Sequence, residues 1–134
     1  MNPMVNHPLV LVVEDDPDTA ALYRTLLTAE GMEVACCGNG QQARQWWQAA
    51  ARPPDLVVID VRLPDISGLD LAREMSAPRG ESSPAVIVLS AHGDPRMPQM
   101  SRQAGAAAFL DKLRDLDRLV ETAWRLVRGR GGRG

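Results

Sequence analysis

The sequence predicts an α/β fold in which helices cover both faces of one parallel, five-stranded sheet. The prediction rests on short apolar runs and on the spacing of apolar residues between them. Four runs contain no polar residue: LVLVV at 9–13, LVVI at 56–59, AVIVL at 85–89 and AAFL at 107–110. Unbroken runs of this length are typical of strands that are buried on both faces. The segments between them are of helix length and have apolar residues at helical spacing, so we expect five successive βα units.

The first unit joins the strand at 9–13 to a helix that begins at Asp16 and Pro17. The Asp16 side chain can accept hydrogen bonds from the free N–H groups of a first helical turn, and proline suits the first helical position. The apolar residues with helical spacing in this segment are Ala20, Leu22, Leu26 and Leu27.

A weaker strand is expected at 32–37, after Gly31, a residue type that commonly ends a helix. We expect this strand to lie at an edge of the sheet. It contains Cys36 and Cys37. Two adjacent cysteines form neither a disulfide framework nor a spaced metal site, so we interpret them as ordinary strand residues in a reducing compartment.

The later helices have less distinct beginnings. Entries are indicated at Gly40, at Ser67 with Gly68, and at Pro95. The apolar residues of the last helix are Leu116, Leu119, Val120, Ala123 and Val127.

Length and charge limit the function classes. The 134 residues predict one domain at 9–128, with an N-terminal extension at 1–8 and a flexible basic tail or linker stub at 129–134. The formal charge of -2 leaves no net basic field for direct nucleic-acid binding. We find no signal segment before Leu9 and no apolar run near the roughly 20 residues that span a bilayer, so we expect a cytoplasmic protein without membrane contact.

Five short βα units with right-handed crossovers favour the flavodoxin-like, doubly wound strand order 2-1-3-4-5. In such sheets a ligand binds beyond the carboxyl ends of the strands, where strands one and three are neighbours. The residues that end each strand are therefore the candidate site.

Acidic residues end the first and third strands. Glu14 and Asp15 follow the first strand, and Asp60 ends the third. Three carboxylates in one pocket call for a compensating cation, and oxygen ligands suit a hard ion such as Mg²⁺, with Mn²⁺ as an alternative. We expect Asp15 and Asp60 to be direct ligands, Glu14 to act through water, and the backbone carbonyl of Arg62 to supply a further ligand.

The fourth and fifth strands end in Ser90 and Lys112. A carboxylate such as Asp60 beside a divalent cation can attack phosphorus when nearby cations offset the charge of the transferring group. Lysine supplies a point charge, and a serine hydroxyl can donate a hydrogen bond to a phosphoryl oxygen. The combination predicts phosphoryl transfer to Asp60.

Four segments carry a family resemblance that covers the chain from about Leu9 to Val127. They are VVEDD at 12–16, IDVRLPDISG at 59–68, LSAHG at 89–93 and AFLDK at 108–112. With them the chain resembles the receiver domains of bacterial response regulators, the CheY-like modules of two-component signalling. The resemblance implies that Glu14 and Asp15 are the acidic pair, Asp60 is the phosphoacceptor, Ser90 is the hydroxyl of the site and Lys112 contacts the phosphoryl group.

The resemblance also implies a function and partners. A phosphohistidine of a histidine kinase or histidine phosphotransfer protein would donate to Asp60 in a Mg²⁺-dependent phosphorelay. The domain would catalyse only its own phosphorylation and autodephosphorylation, so it is not expected to be an enzyme. Phosphorylation would shift the face built from the fourth helix, fifth strand and fifth helix and so control a downstream effector or output domain. A phosphorylation-dependent homodimer stays open.

Four further positions take their meaning from the resemblance. Phe109 matches the switch aromatic that turns inward when Ser90 moves towards the phosphoryl group. Arg62 and His92 occupy two positions that tune dephosphorylation. Leu113 departs from the family, which usually has proline after the lysine, and this leaves the geometry of the fifth loop open.

Three alternatives compete with this interpretation. A flavodoxin-like cofactor binder would need a phosphate loop rich in Gly, Ser and Thr where this chain has acidic residues. A metal-dependent phosphatase with an aspartyl nucleophile typically has a second Asp where this chain has Arg62. The third alternative is a degenerate receiver that acts as a phosphorylation-independent interaction module.

Overall fold

The computed structural model describes residues 7–77, 83–91 and 94–131, and within them one parallel sheet. Its strands are β1 (Leu9–Val13), β2 (Glu33–Cys37), β3 (Leu56–Asp60), β4 (Ala85–Ser90) and β5 (Ala108–Asp111). They lie in the order β2-β1-β3-β4-β5. This confirms the predicted α/β class and strand order, and β2 lies at an edge of the sheet as expected.

Five α-helices connect and follow the strands: α1 (Pro17–Thr28), α2 (Gly40–Ala49), α3 (Gly68–Ser76), α4 (Met97–Gln103) and α5 (Leu119–Gly131). Asp16 is the N-cap of α1, and its Oδ2 accepts a hydrogen bond from the Thr19 N–H at 2.9 Å. None of the described helices is long and apolar enough to cross a membrane.

Two helix boundaries differ from the sequence prediction. Leu116 belongs to a separate 3-10 turn, Leu116–Arg118, and α5 begins only at Leu119. At its other end α5 extends to Gly131, so helix includes the first three residues of the segment predicted as a flexible tail. α5 contains no proline, so the i→i−4 hydrogen bonds can continue through Gly129.

Two apolar clusters, one on each face of the sheet, explain the unbroken apolar runs. Alternate strand residues point to opposite faces, so Leu11 and Val13 belong to the cluster under α2, α3 and α4, whereas Val10 and Val12 belong to the cluster under α1 and α5. Because helices cover both faces, β1 has no polar residue, and the polar residues of β3 and β4, Asp60 and Ser90, stand at the carboxyl ends of their strands.

The apolar residues whose spacing indicated α1 do not all lie on its buried face. Tyr23 and Leu27 are its buried residues, whereas Leu22 is 42% exposed. Positions i and i+4 share one helix face, so the pair Tyr23 and Leu27 contacts the sheet and Leu22 is rotated about 100° away from it. Leu22 is thus one of the apolar residues whose spacing indicated the helix, but it is not one of the two that the helix buries.

Candidate functional site

The strand register aligns the carboxyl ends of four neighbouring strands at one edge. Val13 of β1 pairs with Ile59 of β3, so Glu14 follows at the level of Asp60. Asp60 pairs in turn with Leu89 of β4, and the next residue, Ser90, pairs with Asp111 of β5. Residues that are distant in the sequence thus meet because each ends its strand at the same edge.

The acidic cluster consists of Glu14, Asp15 and Asp60. One carboxylate oxygen of each lies within 4.8 Å of the other two. Glu14 and Asp60 are buried, whereas Asp15 is exposed to solvent. Burial raises the pKa of the Glu14 carboxyl, because the charged form loses its hydration. Three hard oxygen donors, two of them on buried residues and the third exposed to water, fit a divalent ion that keeps some of its waters.

Lys112 extends into this cluster from the end of β5. Its ammonium Nζ donates to Glu14 Oε1 at 2.8 Å and lies 3.3 Å from Asp60 Oδ2. Burial by itself lowers the pKa of Lys112, but the hydrogen bond to Glu14 and the charge of Asp60 outweigh burial, and the net pKa is raised. Lys112 is the single lysine of the chain. The ammonium is therefore charged and lies between two of the three carboxylates.

The remaining predicted positions lie around this centre. Ser90 is buried at the end of β4. Phe109 is half-buried, pairs with Val88 across the sheet and packs against the cluster under α2, α3 and α4. Arg62 is exposed, and its N–H lies 3.3 Å from Asp60 Oδ1, so its backbone adjoins the carboxylate. His92 lies outside the described residues, and the roles assigned to all four positions stay predictions.

The loop after Asp60 is held in place by two contacts that the sequence did not reveal. Gly68 lies so close to the backbone that an added Cβ would be 2.1 Å from the carbonyl oxygen of Asp60. The Asp65 carboxylate accepts hydrogen bonds from the N–H groups of Gly40, at 2.8 Å, and Gln41, at 2.9 Å, at the start of α2. These two hydrogen bonds lower the pKa of Asp65. The loop is thus fixed both to the strand before it and to a neighbouring helix.

Tyr23 is a further residue near the site that the sequence analysis passed over. It is buried in the cluster under α1 and α5, and burial raises the pKa of its phenol to about 12. The charges of Lys112, Glu14 and Asp60 also act on this phenol, which places Tyr23 within electrostatic range of the site. Its position four residues before Leu27, the i, i+4 spacing of one helix face, was the available signal for its burial.

Comparison with known proteins identifies relatives across nearly the whole chain. The family model described as Response regulator receiver domain matches residues 10–123. The chain is 35% identical over 124 residues to the transcriptional regulatory protein AruR of Pseudomonas aeruginosa, covering 90% of this chain and 50% of AruR. It is 36% identical over 112 residues to the transcriptional regulatory protein KdpE of Mycobacterium tuberculosis, covering 84% and 47%. The chain thus spans half or less of the length of these curated relatives.

Solved structures give the same result. The signal receiver domain of a Luxo repressor protein from Vibrio parahaemolyticus is 29% identical, with a TM-score of 0.80 and 92% of each chain covered. The response regulator protein TrrA from Thermotoga maritima, solved in complex with Mg(2+)-BeF, is 29% identical with a TM-score of 0.75, covering 89% of this chain and 98% of TrrA. A CheY-like receiver domain protein from Methanospirillum hungatei, at 21% identity and a TM-score of 0.84 over 96% of this chain and all of its own, supports the fold alone.

Proposed function

This chain belongs to the family of response-regulator receiver domains, and on that premise we propose that it is a phosphoacceptor switch in which Asp60 takes a phosphoryl group from a phosphohistidine. Receiver domains are signalling domains of two-component systems and not enzymes that act on a separate substrate. The donor would be a histidine kinase or a histidine phosphotransfer protein.

One observation carries the proposal, the position of the single lysine. Lys112 Nζ contacts both Glu14 Oε1 and Asp60 Oδ2, at 2.8 and 3.3 Å, although the three residues come from three different strand ends. A surface lysine gains little from such a pair, but the Lys112 side chain is only 16% exposed. A charged ammonium held beside a buried carboxylate is what transfer of a negatively charged group to that carboxylate requires.

The transfer follows from the groups at the site. An oxygen of the Asp60 carboxylate forms a bond to phosphorus while the bond between phosphorus and the donor's imidazole nitrogen breaks. The electron pair of that bond stays on the nitrogen, which takes a proton from solvent. Lys112 offsets the charge on the equatorial phosphoryl oxygens, and the Ser90 hydroxyl donates a hydrogen bond to one of them. Water later cleaves the acyl phosphate, releasing phosphate and restoring the Asp60 carboxylate.

Receiver domains bind Mg²⁺ at an acidic site, and the carboxylates of Glu14, Asp15 and Asp60 fit such an ion. We infer that Asp15, Asp60 and the backbone carbonyl of Arg62 would hold it, with Glu14 acting through water and Mn²⁺ as an alternative ion. When bound, the ion would neutralise negative charge on the incoming phosphoryl group. The exposure of Asp15 gives the ion a path from solvent.

The output side of the proposal concerns the α4-β5-α5 face. A phosphoryl group on Asp60 would draw Ser90 and Lys112 towards it, and Phe109 of β5 would turn inward as Ser90 moves. The changed face would control a downstream effector or output domain, or pair with a second copy. Arg62 and His92 would tune the lifetime of the acyl phosphate.

The proposal is tested by labelling the purified chain with radioactive acetyl phosphate in the presence of Mg²⁺. We expect label on the wild type, no label on Asp60→Asn and wild-type labelling of the control Asp70→Asn. The control removes a carboxylate that is exposed on α3 and forms an ion pair with Arg73. Label on Asp60→Asn would overturn the assignment. A wild-type chain that takes no label would instead support the phosphorylation-independent interaction module.

A further inference from the structure

The turn between β5 and α5 is held by a set of hydrogen bonds around Asp111. Its Oδ1 accepts from the N–H of Leu113 at 2.8 Å and from the N–H of Arg114 at 3.0 Å. Asp115 closes the turn from the other side, because its Oδ2 accepts from the Asp111 N–H at 3.0 Å and its own N–H donates to the Asp111 carbonyl at 2.8 Å. We refer to these four hydrogen bonds, among Asp111, Leu113, Arg114 and Asp115, as the turn clasp.

Lys112 lies inside the turn clasp. Asp111 precedes it, and Leu113 and Arg114, the two donors to the Asp111 carboxylate, follow it. Its own N–H donates to the Ser90 carbonyl at 2.9 Å, which continues the pairing of β4 with β5. The backbone of Lys112 is thus fixed on both sides, and only the flexible side chain remains to be placed. A fixed backbone reduces the conformational entropy that the side chain must lose to reach Glu14 and Asp60.

Leu113 contributes to the clasp through its N–H and not through its side chain. The side chain is 80% exposed. The N–H donates to Asp111, and a proline at this position would have no N–H to donate. The turn clasp therefore uses the N–H group of Leu113, which the proline usual at this position in the family would lack.

Burial supports a structural role for the Asp111 carboxylate. Asp111 is 8% exposed, and a carboxylate with so little contact with water requires protein donors. The Leu113 and Arg114 N–H groups supply them, and they lower the pKa of Asp111, so the acceptor is charged at neutral pH.

We propose that Asp111 and Asp115 are positioning residues for Lys112, and that the turn clasp does in this chain what a proline after the lysine does in most receiver domains. The inference rests on the proposed function, because positioning has a purpose only if Lys112 acts on the group transferred to Asp60. It assigns no contact with the phosphoryl group to either aspartate.

Three variants separate positioning from general stability. Asp111→Ala removes the acceptor, whereas Asp111→Asn keeps an oxygen at the Oδ1 position. Leu113→Ala keeps the donor and removes only the exposed side chain. We expect Asp111→Ala to label from acetyl phosphate about tenfold or more slowly at saturating Mg²⁺, as when a group that supports a ligand is removed. Asp111→Asn and Leu113→Ala should label at near wild-type rates.

Two further measurements make the interpretation unambiguous. The first is the Mg²⁺ affinity of Asp111→Ala, measured by calorimetry, which should not fall because the acidic cluster is on other strands. If the substitution loosened the whole fold instead, the Mg²⁺ affinity and the labelling rate would fall together. Because the chain has a single lysine, selective ¹⁵N-lysine labelling gives one side-chain ammonium signal without overlap. That signal should be protected from exchange in the wild type and in Asp111→Asn, and lost in Asp111→Ala.

The outcomes distinguish the two proposals. Wild-type labelling of Asp111→Ala, or equal slowing of the two Asp111 variants, would overturn positioning by the turn clasp while leaving Asp60 as acceptor. A wild-type chain that takes no label would overturn the proposed function. The ammonium signal would then still decide whether Asp111 holds Lys112, because it does not depend on phosphorylation.

Discussion

The two halves of the sheet edge are built differently. In the acidic half, after β1 and β3, α1 has twelve residues with Asp16 as a hydrogen-bonded N-cap and Pro17 in its first turn. In the other half, after β4, α4 has seven residues, and its N-cap Arg96 makes no side-chain cap. The Ser101 hydroxyl of α4 is buried without a hydrogen-bond partner among the described residues.

The proposed switch would need rigidity in the acidic half of the edge. Carboxylates that share one cation must keep their separations, because small displacements change both their repulsion and their ligand geometry. Elements that move are drawn from the least stable parts of a fold. The short helix α4, with its unpaired hydroxyl, has the features of such an element, and it follows the strand that ends in Ser90.

The largest effect is expected from Gly68→Ala, which lies in the acidic half. An added Cβ would lie 2.1 Å from the Asp60 carbonyl oxygen and 2.8 Å from Val61 Cα, and both contacts are to backbone that cannot move aside. We expect a loss of about 2–3 kcal/mol in the free energy of unfolding, measured by urea denaturation. Gly129→Ala is the matched control, because nothing lies within 4 Å of its added Cβ. Equal denaturation midpoints for Gly68→Ala and the wild type would show that the acidic half can move to accommodate the added methyl group.

A smaller effect of opposite sign is expected from Ser101→Ala in the other half. Removing a buried hydroxyl that has no hydrogen-bond partner in the described part of the chain should raise the free energy of unfolding by about 1 kcal/mol. Ser76→Ala is the control, since the Ser76 hydroxyl donates to the Ala104 carbonyl at 3.1 Å and its removal should destabilise the fold. A loss of stability in Ser101→Ala would show that the Ser101 hydroxyl has a hydrogen-bond partner in solution. The hydroxyl would then not be a source of weakness in α4.

The smallest effect concerns acid stability and the Asp65 contact with α2. The pKa of Asp65 is lower in the folded chain than its ordinary value of 3.8, so its stabilising contribution is present above that value and is lost as the pH falls through the folded pKa. The free energy of unfolding of Asp65→Asn should therefore decrease less steeply than that of the wild type as the pH falls below about 3.8. Acid unfolding followed by circular dichroism measures this difference. Acid unfolding curves that superimpose with the wild type would mean that the Asp65 hydrogen bonds do not hold the loop.

The sequence predicted those features that depend on burial and on strand ends. Unbroken apolar runs indicate strands covered on both faces, and a parallel sheet then brings Asp60 and Lys112 to one edge whatever the loops do. The apolar spacing of α1 did not identify Tyr23 as buried, because Leu22 and Tyr23 are both large and adjacent, and only packing decides which of them turns inward. The contacts of Asp65 and Asp111 were missed because they join side chains to backbone N–H groups, whose directions depend on loop conformations that no local pattern specifies.

The separation of the core into two clusters has a consequence for how such a domain can be altered. Adjacent residues of β1, such as Leu11 and Val12, belong to different clusters, so the sheet divides the side chains under α1 and α5 from those under α2, α3 and α4. Substitutions on one face can therefore accumulate with little effect on packing on the other, since energies of distant sites are close to additive. Selection or a designer can rework one covering layer as a recognition surface while the shared edge, with its chemistry, is left unchanged.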